Sequence, residues 1–134
     1  MLVSETNLRV RYAETDKMGV VYYGNYPQYY EVGRVECLRR LGTSYKALEE
    51  NGFYMPVASM NICYHKPAFY DDNLRIRTTV KEMPGVRMDF FYEIFNEKDE
   101  LLNTGETTLV FMSEETHRPS RPPSWFLELL KAYF

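Results

Sequence analysis

The stretch from Arg11 to Tyr26 reads Arg-Tyr-Ala-Glu-Thr-Asp-Lys-Met-Gly-Val-Val-Tyr-Tyr-Gly-Asn-Tyr, so that Glu14 and Asp16 flank Thr15 and are followed by Gly19, two valines, two tyrosines and Gly24. A carboxylate between a strand and a helix lies near the helix N-terminus, where the first N–H groups lack intrahelical partners and the macrodipole favours negative charge. The same N–H groups can polarise a carbonyl. Hydrolysis of a thioester needs both in one place: a carboxylate that attacks the carbonyl or activates a water, and donors aimed at the developing oxyanion. Gly19 and Gly24 are expected to permit the close backbone approach such a site requires. Taken alone, a Thr-Asp pair ahead of a helix is a cap or a turn, and Glu14 reads as a solvated strand-end residue. The surrounding elements decide the meaning of Asp16.

Residues 6 to 12 alternate, with Leu8, Val10 and Tyr12 on one side and Arg9 and Arg11 on the other, the period of a half-buried strand. From about residue 25 to 41, Tyr26, Tyr30, Gly33, Cys37 and Leu41 recur at helical spacing, and Glu31, Arg34, Arg39 and Arg40 fall mostly off that stripe. Gly42 is the expected stop. Gly33 on the apolar stripe predicts close backbone packing, because glycine is otherwise a poor helix residue. A short helix over 44 to 51 ends at Gly52 by the same logic. Four segments, 55–66, 73–82, 86–96 and 101–112, are rich in Val, Ile, Thr, Tyr and Phe and are separated by turn residues at Pro67 with Asp71-Asp72-Asn73, at Pro84-Gly85 and at residues 96–99. Connections this short predict antiparallel pairing of each strand with the next. After a proline-bearing loop over 114–123, Ser124 is the expected N-cap of a last helix that docks through Trp125, Leu129 and Leu130. The order predicts a single α+β domain over 1–134, best buried if a five-stranded antiparallel sheet curves around the long helix. Such a sheet leaves an open edge. Together with 12 Tyr and 8 Phe in 134 residues, that edge predicts at least a homodimer.

The Arg11–Tyr26 segment resembles the signature of the 4-hydroxybenzoyl-CoA thioesterase and YbgC-like acyl-CoA thioesterase family. The likeness extends to Glu31, Gly33-Arg34 and Glu36, to Pro56-Val57, Tyr64, Pro67-Ala68, Asp71-Asp72 and Leu74, and to Arg118-Pro119 and Pro122. It covers almost the whole chain. The resemblance implies the hotdog fold, hydrolysis of an acyl-CoA to free CoA and a carboxylic acid, and a dimer or tetramer with sites near the subunit boundary. It further implies Asp16 as nucleophile or general base, the backbone N–H of Tyr23 as oxyanion donor, and Gly19, Val20, Tyr22 and Tyr26 against the substrate. Many YbgC-like members carry His where this chain has Tyr23, whereas the hydroxybenzoyl-CoA branch carries Tyr there, so an imidazole-assisted step is not expected. Coenzyme A brings phosphates, and Lys66, Arg87, Arg118 and Arg121 are the candidate cations. CoA is here part of the substrate, and no separate cofactor or metal is expected.

Other classes find less support. A formal net charge of -3 with no run of five like charges argues against a nucleic-acid binder. No apolar run long enough to span a bilayer and no leader pattern appear, which predicts a cytoplasmic protein without membrane insertion. Cys37 and Cys63 read as small buried hydrophobes. There is no Gly-x-Ser-x-Gly elbow. His65, read as a strand residue, and His117 are the only histidines, too few for a zinc site and remote from Asp16 in sequence, which disfavours a hotdog dehydratase or hydratase. A domain that only binds acyl-CoA, or serves as an interaction module, has no use for an unmasked carboxylate beside a thioester.

Overall fold

Strand β1 (Leu2–Arg9) buries Leu2 and Ser4 on one side and is followed by buried Val10. Its inward parity is as the alternation predicts, but it begins and ends earlier than residues 6 to 12. The chain turns because the Glu14 carboxylate accepts the Arg11 N–H at 2.9 Å and the Arg11 Nε–H at 3.1 Å, closing a 3-10 turn over Tyr12–Glu14. Tyr12 is therefore 77% exposed rather than part of the inward row. The computed structural model describes all of residues 1–134.

Helix α1 (Tyr26–Leu41) buries Tyr26, Tyr30, Gly33, Cys37 and Leu41, the full predicted stripe, and ends at Gly42 with φ of 99°. Gly33 is required by contact, since a Cβ there would stand 2.6 Å from Thr78 Oγ1 and 2.8 Å from Ile76 Cγ2. Arg34 departs from expectation. It is buried, because helix α2 (Tyr45–Glu50) folds back over it and its guanidinium Nε donates to the Tyr45 hydroxyl at 3.0 Å. Ser44 caps α2 through the Ala47 N–H.

The remaining strands are a short β2 (Phe53–Tyr54), then β3 (Val57–Tyr64), β4 (Asn73–Val80), β5 (Arg87–Phe95), β6 (Leu101–Val110) and a short β7 (Met112–Ser113) paired with β2. The main sheet is antiparallel with order β1-β4-β5-β6-β3. Strands β4, β5 and β6 form the predicted meander. The expected β3–β4 pairing does not occur: β3 pairs with β6 and lies at the opposite edge from β1 and β4. Residues 65–72 make the crossing, tied to β6 where His65 N–H and Lys66 N–H both donate to Leu102 O, and to the end of β1 through Val10 N–H to Asp72 O. At about 3.3–3.6 Å per residue and 4.8 Å between strands, eight residues reach across β5 and β6 with length to spare. A short connection forces a hairpin only when it is too short to go elsewhere.

The sheet curves around α1, with Met88, Phe90, Tyr92 and Ile94 of β5 all buried beneath it and the Tyr30 and Tyr92 rings stacked at 4.4 Å. A last helix, α3 (Ser124–Leu130), covers one end. Its N-cap is Pro123, with Ser124 already in the first turn, and it docks through Phe126 and Leu130, while Trp125 and Leu129 are only partly buried. Helix α1 packs on β1, β4 and β5, leaving β3 uncovered. The residues of β3 opposite buried Thr107, Gly105 and Asn103 are Met60, Ile62 and Tyr64, so these point to the helix side. Met60 and Tyr64 nevertheless stay about half exposed. This apolar, solvent-open face between the start of α1 and the β3 edge is the candidate cleft.

Candidate active site

The mouth of that cleft is built by a miniature hairpin. Tyr22 N–H donates to Glu14 O at 3.0 Å, Asp16 N–H donates to Val20 O at 2.8 Å, and Gly19 N–H closes a tight turn on Asp16 O at 2.9 Å. Gly19 adopts φ of 82°, a left-handed backbone that favours glycine, with open space where a Cβ would be. A Cβ at Gly24 would meet the Tyr22 ring at 2.6 Å.

Asp16 is half-buried, and its Oδ1 accepts the Met18 N–H at 2.9 Å, its sole hydrogen bond in the chain. Its other oxygen is uncommitted. A further 3-10 turn over Tyr23–Asn25 leads into α1, and the N–H groups of Tyr23 and Gly24 donate to no acceptor in the chain. They stand at the positive end of a sixteen-residue helix. Tyr23 is 63% exposed; its carbonyl accepts the Tyr64 hydroxyl at 3.3 Å, which fixes β3 to the helix start. The Tyr64 ring lies 6.4 Å from Tyr23 and 5.7 Å from buried Tyr26. Val20 bridges to Phe69 and Val21 N–H donates to Ala68 O, so the crossing loop forms the other wall. Exposed Tyr12 and Tyr70 meet edge to face at 5.3 Å on its rim.

Sequence reasoning missed Tyr64 as a wall residue, and it missed Phe69 and Tyr70. The signal was the aromatic run around Pro67, which the expected hairpin had placed on an ordinary turn. It also misjudged Glu14, which is 9% exposed. The Glu14 carboxylate takes the hydroxyl of Tyr29 on α1 at 2.9 Å as well as both Arg11 donors. Burial by itself raises its pKa, but the hydrogen bonds from the Arg11 N–H, the Tyr29 hydroxyl and the Arg11 guanidinium outweigh it, and the carboxyl is held below its usual 4.5. The unfolded chain therefore binds a proton there that the folded chain does not, so this stabilisation is present above pH 4.5 and disappears as pH falls through the lowered folded value. Chemical denaturation between pH 3 and 7 is expected to show a weaker acid dependence in Glu14→Gln than in the unaltered protein.

The candidate cations divide. Lys66 is spent on Glu100 at 2.5 Å. Arg87, Arg118 and Arg121 gather at the far end of the sheet, where Arg87 is opposite Val110, Phe111 N–H donates to Val86 O, and Ser113 and Ser120 hold the 118–121 loop. That end is the Val57 end of the eight-residue β3, about 23 Å from Tyr64. A cavity of about 660 Å³ lies there, lined by Lys81, Arg87, Asp89, Phe91 and Thr108 among others. Within one chain these three arginines therefore lie at the opposite end of β3 from Tyr64 and the Asp16 hairpin. His65 is exposed just past β3 rather than within it, and Cys63 is exposed on β3 while Cys37 is buried. No three His, Cys, Asp or Glu side chains cluster as metal ligands do. No helix is long and apolar enough to cross a membrane.

The model of the thioesterase-like superfamily matches residues 10–130. The acyl-CoA thioester hydrolase YbgC of Escherichia coli O6:H1 is 35% identical over 116 residues, 87% of each chain. A DHNA-CoA thioesterase structure from Staphylococcus aureus superposes with a TM-score of 0.86 at 42% identity, over 100% of this chain and 85% of that one. A 4-hydroxybenzoyl-CoA thioesterase complex, at 20% identity and a TM-score of 0.85 over 96% and 99%, shares the fold. By sequence and by its five-stranded sheet around one long helix, the chain belongs to the thioesterase-like superfamily of hotdog proteins.

Proposed function

We propose that this protein hydrolyses acyl-CoA thioesters, with Asp16 as nucleophile or general base and the Tyr23 N–H as oxyanion donor. The observation that carries this reading is the pairing of an uncommitted carboxylate oxygen with unpartnered N–H groups at a helix start, both at the mouth of one aromatic cleft. The carbonyl oxygen sits against the donors; a water that gives its proton to Asp16, or Asp16 itself, attacks the carbonyl carbon, the C–S bond breaks, and CoA leaves as a thiolate that takes up a proton. In the second case water then opens the acyl–aspartyl anhydride. The acyl group lies along Tyr26 and Tyr64, with Gly19, Val20 and Tyr22 at the entrance. This lining, and the DHNA-CoA substrate named for the Staphylococcus aureus structure, favour an aromatic acyl group. CoA is consumed as part of the substrate, and the reaction as written calls on no other cofactor. A cytoplasmic setting suits a CoA substrate.

The working unit is a homodimer joined through β3. Two copies of an edge strand paired antiparallel about a two-fold bring the Val57 end of one against the Tyr64 end of the other. Arg87, Arg118 and Arg121 of one protomer then face its partner's Asp16 and can meet the CoA phosphates. Further pairing of dimers gives the tetramer. The test is release of free thiol from purified protein offered a panel of aliphatic and aromatic acyl-CoAs. Turnover fastest on aromatic members is expected. Tight binding without thiol release would indicate an acyl-CoA-binding module, and hydration of an enoyl-CoA a hydratase.

A further inference from the structure

Two residues before Asp16 lies a second carboxylate that the proposed chemistry leaves without a task. Glu14 is buried, yet both of its ends are engaged. Its side chain accepts the hydroxyl of Tyr29, one turn into α1, and the two Arg11 donors. Its carbonyl accepts Tyr22 N–H at 3.0 Å and Asn25 Nδ2 at 2.8 Å, the residues that bracket Tyr23. Glu14 is thus the one residue that touches the turn before Asp16, the helix start beyond Tyr23, and the body of α1. Between Glu14 and Asp16 stands only Thr15, whose backbone is extended, so the two Cα atoms lie about 6–7 Å apart and a shift of one is carried directly to the other. Asp16 itself has no bond to α1.

We propose that Glu14 is the positioning residue of this site: its carboxylate, pinned to Tyr29 and Arg11, sets the height of Asp16 over the Tyr23 N–H. The proposal rests on the thioesterase reading above, and it assigns Glu14 no proton transfer. With three donors on its two oxygens, the carboxylate has little basicity to offer a water. What it offers is rigidity. A displacement of about 1 Å between attacking group and oxyanion donors costs on the order of 100-fold in rate.

The test compares Glu14→Ala, Glu14→Gln, Tyr29→Phe and Asp16→Asn in steady-state thiol release on one acyl-CoA, with thermal melts of each. Glu14→Ala is expected to lower kcat about 10- to 100-fold while KM changes less than about threefold. Tyr29→Phe removes one oxygen and is expected to fold and to lose kcat in the same sense, by less. Glu14→Gln keeps the acceptor facing Tyr29 and the Arg11 N–H, and should recover most of what Glu14→Ala loses. If Glu14→Gln is as impaired as Glu14→Ala, the carboxylate acts by charge or proton transfer and the positioning role is overturned. It is also overturned if Glu14→Ala and Tyr29→Phe keep full kcat while Asp16→Asn is inactive. Should Glu14→Ala fail to fold, Tyr29→Phe decides alone. Full thiol release by Asp16→Asn removes Asp16 from the chemistry and carries the positioning role down with it, whereas absence of thiol release from the unaltered protein sinks the thioesterase reading itself, a different result from any of these.

Discussion

Asp16→Asn should lower kcat about 100- to 10,000-fold, the range contributed by a positioned acid or base in the transition state. The fold should be untouched, because the asparagine carbonyl can still accept the Met18 N–H now bonded at 2.9 Å and no other contact in the chain depends on the carboxylate. Equal melting temperatures together with collapsed thiol release give the expected pattern. A variant within tenfold of the parent rate would remove Asp16 from the chemistry. The same site separates its two possible roles. If Asp16 attacks the carbonyl and water then opens the acyl–aspartyl anhydride at the aspartyl carbon, one turnover in water enriched in heavy oxygen leaves the label on Asp16 and an unlabelled oxygen in the product acid. If Asp16 activates a water, the label appears in the product acid at the first turnover.

The second large effect is expected at the β3 edge. Ser59 and Asn61 point to the outer face of the sheet and are exposed, so Ser59→Glu with Asn61→Glu should leave the protomer folded. In two copies paired through β3 the four added carboxylates crowd the two-fold axis, where like charges opposite one another oppose pairing. Sedimentation should shift from dimer to monomer. If the arginines of the partner hold the CoA phosphates, kcat/KM on acyl-CoA should fall by at least 10- to 100-fold, since hydrogen bonds to charged groups contribute about 1.5–3 kcal/mol each. A short thioester without the nucleotide should lose far less. A double variant that sediments as the parent does, or a monomer as active on acyl-CoA as the parent, would refute the composite site.

Much of this was legible before any coordinates. The stripe Tyr26, Tyr30, Gly33, Cys37 and Leu41 marks α1, Gly42 marks its end, and the alternation Met88, Phe90, Tyr92, Ile94 marks the inner face of β5, because burial on a helix or strand imposes its own period. These signals are local, and so they survive in the sequence. Where the reading failed, the deciding contact came from far along the chain. Arg34 looked solvated until Tyr45 folded over it, and Glu14 looked like a loose strand end until Tyr29, 15 residues on, donated to it.

The β3–β4 connection makes the same point for topology. Turn residues around Pro67 announce that the chain changes direction, but the partner of β3 is chosen by which strand is left with an open edge, and that is β6. Residue types and spacing by themselves determined the elements, the inward faces and the segment that holds Asp16, since each follows from steric and hydrophobic rules acting over a few residues. Only the tertiary structure decided that Arg87, Arg118 and Arg121 sit at the opposite end of β3 from Asp16, that Tyr64 walls the cleft, and that Glu14 binds the turn to the helix. Those are distances between segments remote in sequence, set by the packing of the whole sheet against α1, and no local pattern encodes them.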